Sequence, residues 1–589
     1  MDGSRWPIET ISLRFLSGGD LFQVAAKEFM SEAKKTAVVK QQRGWGFWAP
    51  RLAFAIVAPM LLLVLTEGAL RVFHVGYSTN LMEPCTIHGR PADCYNLFFS
   101  APYFPPGMIK TPPFFSLEPV KPKGTYRIFV LGESAAMGDP DFAYGFSRYL
   151  EVMLRTRFRE VKFEVVNTGM VAIDSHVSLA IAHELAKYQP DFYVVYAGSN
   201  EVVGPYGPGT VLTTGSMNLP VIRASIFVRS SRIGQLLAST GEPKREWRGM
   251  EMFLDKQIRA ESPRMQPAYR NFASNLKEII EIGHETGARV LLSTVGVNLR
   301  DSAPFGSLHR PGLSSQMLQS WDALLQQGVA AESAQNCTEA LKDYGSAAKL
   351  DNEFADLEFR ISRCQEQLGN VPAAKESYSR ARDLDTLRFR ADSRINEIIR
   401  QAAGASGGTA TLLDTEALLS SQSRDGVSGQ EMFYDHVHFT PLGNYLFARN
   451  VFTQVVKDLP PEVRSGATST EPLTEGECER LLAFTGHDRA RVASEMADRL
   501  QRPPFTKQLN HMEMLQNLML RAAGPQESIQ DTVGQYQWAI AQDPEDLALH
   551  YKFGFFLFDY DRMAAARQLI LARPNDEFPV FFPNGQRIQ

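Results

Sequence analysis

Cysteine is scarce in this chain, and the patterns that would assign it to several familiar classes are absent. The 589 residues include five cysteines, with no Cys-x-x-Cys pair and no Cys/His cluster, so a zinc site is not predicted. The 61 Lys and Arg stand against 66 Asp and Glu, a net charge of −5, without a long basic tract. This balance argues against nucleic acid as a partner. We predict no metal and no cofactor.

A hydrophobic run long enough to cross a membrane without interruption is also missing. The uncharged run from Leu52 to Thr66 is shorter than the roughly 20 residues that a spanning helix needs. Counting back to Trp45 supplies that length, because Arg51 can extend its charged end to the lipid headgroups. We therefore predict a membrane-spanning signal anchor over 45–73, with a cleaved signal peptide and a buried core helix as the alternatives.

The flanking charges predict the orientation of this anchor. Four Lys and Arg residues lie between positions 34 and 43, directly before the apolar run. By the positive-inside rule, segment 1–44 stays in the cytoplasm and the rest of the chain is exported. The prediction is a single-pass protein of a bacterial-type inner membrane, with its catalytic domain in the periplasm or outside the cell.

The cysteines fall into two pairs and one single residue. Cys85 and Cys94 flank a short polar loop beyond the predicted anchor, Cys337 and Cys364 lie in a helical segment, and Cys478 is alone. In an oxidising compartment each pair is a candidate disulfide.

Strand-like and helix-like segments alternate after a Phe/Pro-rich lead-in over 74–124. Four apolar runs, "TYRIFVLG", "KFEVVNTG", "DFYVVYAG" and "ARVLLSTVG", end at glycine-containing turns, and a fifth, "TATLLDT", begins near residue 409. Apolar strands that alternate with amphipathic helices predict a parallel sheet covered on both faces. The predicted class is α/β, with one catalytic domain divided between 125–310 and 405–460.

The predicted insertion, 311–404, contains a repeat. "YGSAAKLD" begins at Tyr344 and "YSRARDLD" at Tyr378, a difference of 34 residues. This period is typical of tetratricopeptide helix pairs, and an ordinary helical hairpin is the alternative. Such repeats either bind a protein or peptide partner or brace the host domain. The C-terminal region, 470–589, is also predicted to be helical, with one degenerate repeat.

Residues suited to nucleophilic catalysis follow the ends of the predicted strands. A serine nucleophile needs a base, a group that orients the base, and donors for the oxyanion, and the carboxyl ends of parallel strands meet at one edge. Asp435 and His438 follow the last strand, three residues apart; His436 is interpreted as structural or exposed. A helix cap is the alternative for the serine. The other candidates follow the first three strands: Gly132, Glu133, Ser134, Gly169, Gly198 and Asn200.

These blocks resemble the SGNH (GDSL-type) hydrolase superfamily. The resemblance is carried by "LGESAAMG", "NTGM", "AGSN" and "DHVH", which place the four family residues at Ser134, Gly169, Asn200 and His438. It implies a flavodoxin-like three-layer α/β/α fold with Ser134 as nucleophile and His438 as base, oriented by Asp435. It also implies an oxyanion hole made of the Ser134 and Gly169 N–H groups and the Asn200 side chain.

One residue departs from the family pattern. Glu133 stands where the family usually has aspartate, and we expect altered local hydrogen bonds with retained activity. The nucleophile-elbow motif of α/β-hydrolases, Gly-x-Ser-x-Gly, does not fit, because "GESAA" ends in alanine.

The predicted function is a membrane-anchored serine esterase that hydrolyses an acyl ester, with acetyl esters and cell-envelope glycans among the candidate substrates. Acyl transfer to a surface glycan and an envelope scaffold with an inactive hydrolase domain are the alternatives. The lead-in around Phe98 to Phe115 and the loop after Asn200 are candidate walls of the substrate pocket.

Overall fold

The computed structural model describes residues 45–87, 89–213, 217–241, 246–525 and 527–573. Helix α1 (Trp45–Val72) belongs to a first unit, 1–73, and the other elements belong to a second unit, 74–589. Within α1, Ala53–Val72 has a mean hydropathy of 2.1 and none of it is buried, unlike a core helix. Such a helix near the N-terminus is a candidate membrane anchor or signal sequence. The predicted cytoplasmic segment, 1–44, lies outside the described residues.

A small antiparallel sheet precedes the central sheet in the chain. It consists of β1 (Met82–Ile87), β2 (Arg90–Tyr95) and β3 (Ser116–Leu117), in that order. Cys85 and Cys94 form a disulfide across the β1–β2 hairpin, with their Cα atoms 5.7 Å apart. The lead-in is therefore partly a cross-linked hairpin, and the candidate disulfide between Cys85 and Cys94 is formed.

The central sheet has five parallel strands. These are β4 (Thr125–Gly132), β5 (Lys162–Asn167), β6 (Phe192–Tyr196), β7 (Arg289–Ser293) and β8 (Ala410–Leu413). The spatial order is β5-β4-β6-β7-β8, which is the doubly wound order of flavodoxin. Every residue of β4 and β6 is buried, as their apolar sequences predict for central strands, whereas the edge strands β5 and β8 are partly exposed.

Helices make up most of the remaining second unit. Their bounds are α2 (Ser134–Met137), α3 (Phe146–Arg157), α4 (Ser175–Leu185), α5 (Leu219–Ser230), α6 (Arg232–Gly241), α7 (Met265–Thr286), α8 (Ser315–Ser333), α9 (Cys337–Leu350), α10 (Ala355–Gln367), α11 (Val371–Leu384), α12 (Ser393–Gly404), α13 (Thr415–Gln422), α14 (Pro441–Asp458), α15 (Pro461–Ser465), α16 (Glu475–Leu481), α17 (Gly486–Leu500), α18 (His511–Ala522), α19 (Ile529–Gln542), α20 (Leu547–Leu557) and α21 (Arg562–Leu571).

The helices that cover the sheet form two layers. One layer contains α4, α7 and α12, in which α7 contacts both of the others, and the other layer contains α3 and α14. In the second layer the Phe447 ring of α14 lies 4.8 Å from Tyr196 of β6 and 4.4 Å from Phe146 of α3. The sheet is therefore covered on both faces, as its apolar strands predicted.

The repeat segment forms two helical hairpins, α8–α9 and α10–α11. The Tyr344 hydroxyl donates to Glu332 at 2.5 Å, and the Tyr378 hydroxyl donates to Glu366 at 2.7 Å, so both partners recur 34 positions later. Helix α12, which we assigned to the insertion, instead packs on β7 and β8 and belongs to the sheet.

The predicted disulfide between Cys337 and Cys364 is not formed. Both thiols are free and buried, and the Cys337 thiol donates to Gln367 Oε1 at 2.9 Å. Trp321 and Tyr344, both almost fully buried, lie in one apolar cluster with the two cysteines, so the α8–α9 hairpin packs against α10 without a covalent link. Cys478 is also free and buried.

The C-terminal helices dock on the segment that follows Ser134. Arg148 and Arg155 of α3 form ion pairs with Asp546 and Asp543, and Lys552 Nζ lies 2.5 Å from Asp141. The predicted helical C-terminal region is therefore tied to α3 and to Asp141 by charged groups that are largely removed from solvent. Residues 574–589 lie outside the described part of the chain.

Candidate active site

The position of Ser134 follows from the end of β4. Ser134 is the first residue of the four-residue helix α2, which begins two residues after Gly132. A Cβ atom at Gly132 would lie 2.1 Å from the carbonyl oxygen of Tyr196, so only glycine allows this close approach of β4 to β6. The serine is thereby held at the carboxyl edge of the sheet.

His438 connects Ser134 to a buried carboxylate. Its Nε2 lies 2.9 Å from Ser134 Oγ, and its Nδ1 lies 2.7 Å from Asp435 Oδ2. The backbone N–H groups of Val437 and His438 each donate to Asp435 Oδ1 at 2.9 Å, which fixes the carboxylate. The structure thus brings together Ser134, from the end of the first predicted strand, and the pair Asp435 and His438, which follows the last one.

The negative charge of Asp435 and the positive charge of protonated His438 stabilise one another. Burial disfavours ionisation of Asp435, but His438 and His436 outweigh it and hold the pKa of that carboxyl well below its usual range. Burial would lower the pKa of His438, but Asp435 and Asp139 together raise it. Because Asp435 stays ionised, it orients Nδ1–H and leaves Nε2 directed at the serine.

Asp139 is a second carboxylate at the histidine, and the sequence patterns did not identify it. Its Oδ2 lies 3.0 Å from His438 Nε2, the same nitrogen that faces Ser134. Arg499 of α17 forms an ion pair with Asp139, with Nη2 at 3.1 Å from Oδ1. The C-terminal region therefore places a positive charge beside the carboxylate that contacts the candidate base.

Glu133 holds the loop after β6 against the end of β4. Its carboxylate accepts the N–H groups of Gly198 at 3.0 Å, Ser199 at 2.9 Å and Asn200 at 3.2 Å. These donors favour the ionised form, but burial and the nearby Glu201 outweigh them and raise the pKa of Glu133 to about 8. Glu133 is thus a positioning group that sets where Asn200 lies.

Gly169 does not offer a free oxyanion donor, which corrects the prediction. Its N–H donates to Asn167 Oδ1 at 2.9 Å. A Cβ at this position would lie 2.6 Å from the backbone nitrogen of Met137, so glycine is required by close packing against α2. Gly169 supports the nucleophile helix instead of lining the crevice.

Ala172 is a further candidate for the donor role. It lines the same crevice as Ser134 and Asn200, and its φ of 61° is in the left-handed region that non-glycine residues rarely adopt. Among the described residues, its N–H has no hydrogen-bond partner. One N–H of the Asn200 amide is held by the Ile173 carbonyl at 3.0 Å, which orients this side chain. An alanine carries no sequence signal for this role.

The crevice above Ser134 has a volume of about 770 Å³. Its walls include residues 109–111 of the lead-in and Val203 and Gly204 of the loop after Asn200, which are the two predicted walls. Two further walls were not predicted: residues 247–250 and the C-terminal segment from Arg499 to Phe505. Since the C-terminal wall comes from a distant part of the chain, no local pattern indicated it.

His436, interpreted from the sequence as structural or exposed, is not exposed. It is buried, and its ring lies 5.2 Å from Phe305 in an edge-on arrangement. Asp435, His436 and His438 present ligand atoms within 4.8 Å of one another. Both ring nitrogens of His438 are already within hydrogen-bond distance of Asp435 and Ser134, so the arrangement fits a proton relay better than a metal site.

Gly169→Ala is expected to destabilise the protein by about 1–3 kcal/mol, because its new methyl group meets the backbone of α2. Thermal or denaturant unfolding followed by circular dichroism measures the loss. Gly404→Ala is the matched control, since a Cβ there has open space and lies in a helix. Equal stabilities of the two variants would contradict the packing role of Gly169.

The pH dependence of any histidine-dependent activity is expected to respond to the Asp139–Arg499 pair. The base form of His438 is required, so activity rises as pH passes its raised pKa. Asp139→Asn removes one of the two carboxylates that raise that pKa. The rise of the rate on the acidic side of the pH–rate profile, which we call the acidic limb, then moves to lower pH. Arg499→Gln leaves Asp139 without its countercharge and moves the limb to higher pH. Rate profiles between pH 4 and 9 test this; shifts in the same direction for both variants would contradict it.

Comparisons with known proteins do not assign a family. A scan against protein-family models found no match, and a search of curated proteins found no similar sequence.

Proposed function

We propose that this chain is a serine esterase of the SGNH type, anchored to a membrane by α1. The proposal rests on the arrangement of Asp435, His438 and Ser134. The imidazole of His438 lies 2.7 Å from Asp435 Oδ2 through Nδ1 and 2.9 Å from Ser134 Oγ through Nε2. The strand order and the position of the serine after the first strand of the sheet support it further. The second unit lies on the exported side in this proposal.

The geometry supports a two-step acyl transfer. Ser134 Oγ attacks the ester carbonyl carbon while His438 Nε2 takes the hydroxyl proton. The resulting oxyanion is stabilised by the N–H groups of Ser134 and Ala172 and by the Asn200 amide. His438 then returns the proton to the departing alcohol, which leaves an acyl group on Ser134. Water, deprotonated by His438, releases the acid and restores the serine.

Transfer to a sugar hydroxyl uses the same acyl-enzyme, and the acceptor alone distinguishes the two reactions. The scaffold alternative is less well supported, because the repeat hairpins brace their own chain. Arg363 of α10 pairs with Glu513 of α18 at 3.1 Å, and Glu366 pairs with Arg424 at 3.0 Å. The repeats therefore contact the C-terminal region and the segment after β8.

The test is to trap the acyl-enzyme. The full chain is mixed with p-nitrophenyl acetate, quenched in acid and digested, and the peptides are analysed by mass spectrometry. We expect one acetyl group on the peptide that contains Ser134. Oligosaccharide acceptors added in parallel show whether the acetyl group passes to water or to sugar. No acetylation at Ser134, with nitrophenol release no faster than that of Ser134→Ala, would contradict the proposal.

A further inference from the structure

Helix α5 carries an apolar face that points away from the protein. Pro220, Val221, Ala224, Phe227 and Val228 are all exposed, with Phe227 at 77% and Val228 at 53% of full exposure. Positions i, i+1, i+4, i+7 and i+8 fall on one side of a helix, so these side chains form a continuous stripe, which we call the α5 apolar face. An exposed helix face in water is normally polar, and a contiguous apolar one marks an interaction site.

Apolar residues of α6 and of the lead-in are exposed as well. Leu236 of α6 is 47% exposed, and Phe98 of the lead-in is 44% exposed, with its ring stacked on Tyr77 at 4.7 Å. Arg229 of α5 donates to the carbonyl groups of Pro102 at 2.8 Å and Phe104 at 3.0 Å, which fixes the helix beside the lead-in. The α5 apolar face is therefore a rigidly held surface.

The chain itself indicates what covers this surface. Helix α1 ends at Val72, and five residues later the backbone of Tyr77 is clamped to α6. Gln235 accepts the N–H of Tyr77 and donates to its carbonyl, each at 2.9 Å. Five extended residues span at most about 18 Å. Through this connection Gln235 of α6 is held within about 18 Å of the residue at which α1 ends.

We propose that the α5 apolar face lies in the lipid–water interface of the bilayer that α1 spans. Phe227 and Val228 then insert among the outer acyl carbons, as the apolar side of an interfacial helix does. The hairpin is a second membrane contact, which holds the catalytic unit against the bilayer. This proposal rests on the proposed membrane anchoring and does not depend on the esterase activity.

The experiment places a bimane label at Phe227→Cys in the full chain, reconstituted in phosphatidylcholine vesicles. The free cysteines of the described residues are buried, so the introduced thiol is the reactive one. Phe73→Cys, directly after α1, is the control for insertion, and Met512→Cys is the control for an exposed side chain in the C-terminal region. Their native side chains are 77% and 68% exposed. Lipid-borne doxyl groups and aqueous iodide serve as the quenchers.

The expected result is strong doxyl quenching at positions 73 and 227, with iodide quenching alone at 512. Doxyl quenching at 73 without quenching at 227 would overturn the docking proposal and leave the anchor intact. No doxyl quenching at 73 would overturn the anchor and the docking together. The unlabelled Phe227→Cys protein is also tested for disulfide-linked dimers. If such dimers form, and if iodide quenches the label at position 227 in monomers, the surface binds a second copy of the chain, which would overturn the proposal. None of these readouts uses esterase activity.

Discussion

Replacing Ser134 with alanine is expected to lower the rate of ester hydrolysis by about 10⁴- to 10⁶-fold, with little change in thermal stability. In the proposed mechanism the hydroxyl oxygen of Ser134, which contacts His438 Nε2, forms the bond to the acyl group, and alanine has no atom that can do so. Ser134 begins a four-residue helix without a side-chain cap bond, so alanine fits the same backbone. Turnover of p-nitrophenyl acetate, followed at 405 nm, measures the effect.

Two further variants sharpen this prediction. Ser346→Ala, at a partly exposed position of the repeat hairpins, is the control and is expected to keep full activity. His438→Ala is expected to be as slow as Ser134→Ala, and the double variant no slower than either, because the residues act as one unit. A Ser134→Ala protein that retains more than a tenth of the activity would show that another group is the nucleophile.

The second large effect is expected from Asp435→Asn, which should lower kcat by about 10⁴-fold. Asparagine keeps the size of the side chain, and its carbonyl oxygen can still accept the N–H groups of Val437 and His438. Its amide nitrogen, however, donates to Nδ1, which forces the proton onto Nε2, and the imidazole can no longer accept the serine proton. Steady-state kinetics at the optimum pH tests the loss.

Asp139→Asn is the matched control for this variant, since it changes the other carboxylate at the same imidazole. We expect its kcat at high pH to stay within tenfold of wild type, because Asp139 contacts Nε2 and does not set the tautomer. Similar losses for the two variants would assign the orienting role to both acids and contradict the assignment of that role to Asp435 alone.

The sheet and the relay were predictable because they depend on local patterns and one topological rule. Apolar runs, four of which end at glycine-containing turns, predicted the five strands, and the inner strands β4 and β6 are fully buried. Ser134 and His438 are 304 residues apart in sequence, yet the rule that parallel strands align their carboxyl ends predicted that they meet. The SGNH assignment itself stays a prediction.

The remaining features of the site depend on contacts that no local pattern encodes. Asp139 and Arg499 are 360 residues apart, and their pairing requires the C-terminal helices to dock on the nucleophile segment. Gly169 was assigned as a donor because it follows a strand, but the close approach of Met137 gives it a packing role. The cysteine spacing of 337 and 364 suggested a disulfide, yet the two buried thiols remain unbonded.

Activation of Ser134 by His438 is tested most directly by fluorophosphonate labelling. The full chain in detergent is labelled at several pH values, and the modified peptide is mapped by mass spectrometry. We predict one label, on Ser134, with a rate that rises with pH and falls sharply in His438→Ala. Labelling of a different serine, or an unchanged rate at Ser134 in His438→Ala, would contradict this activation.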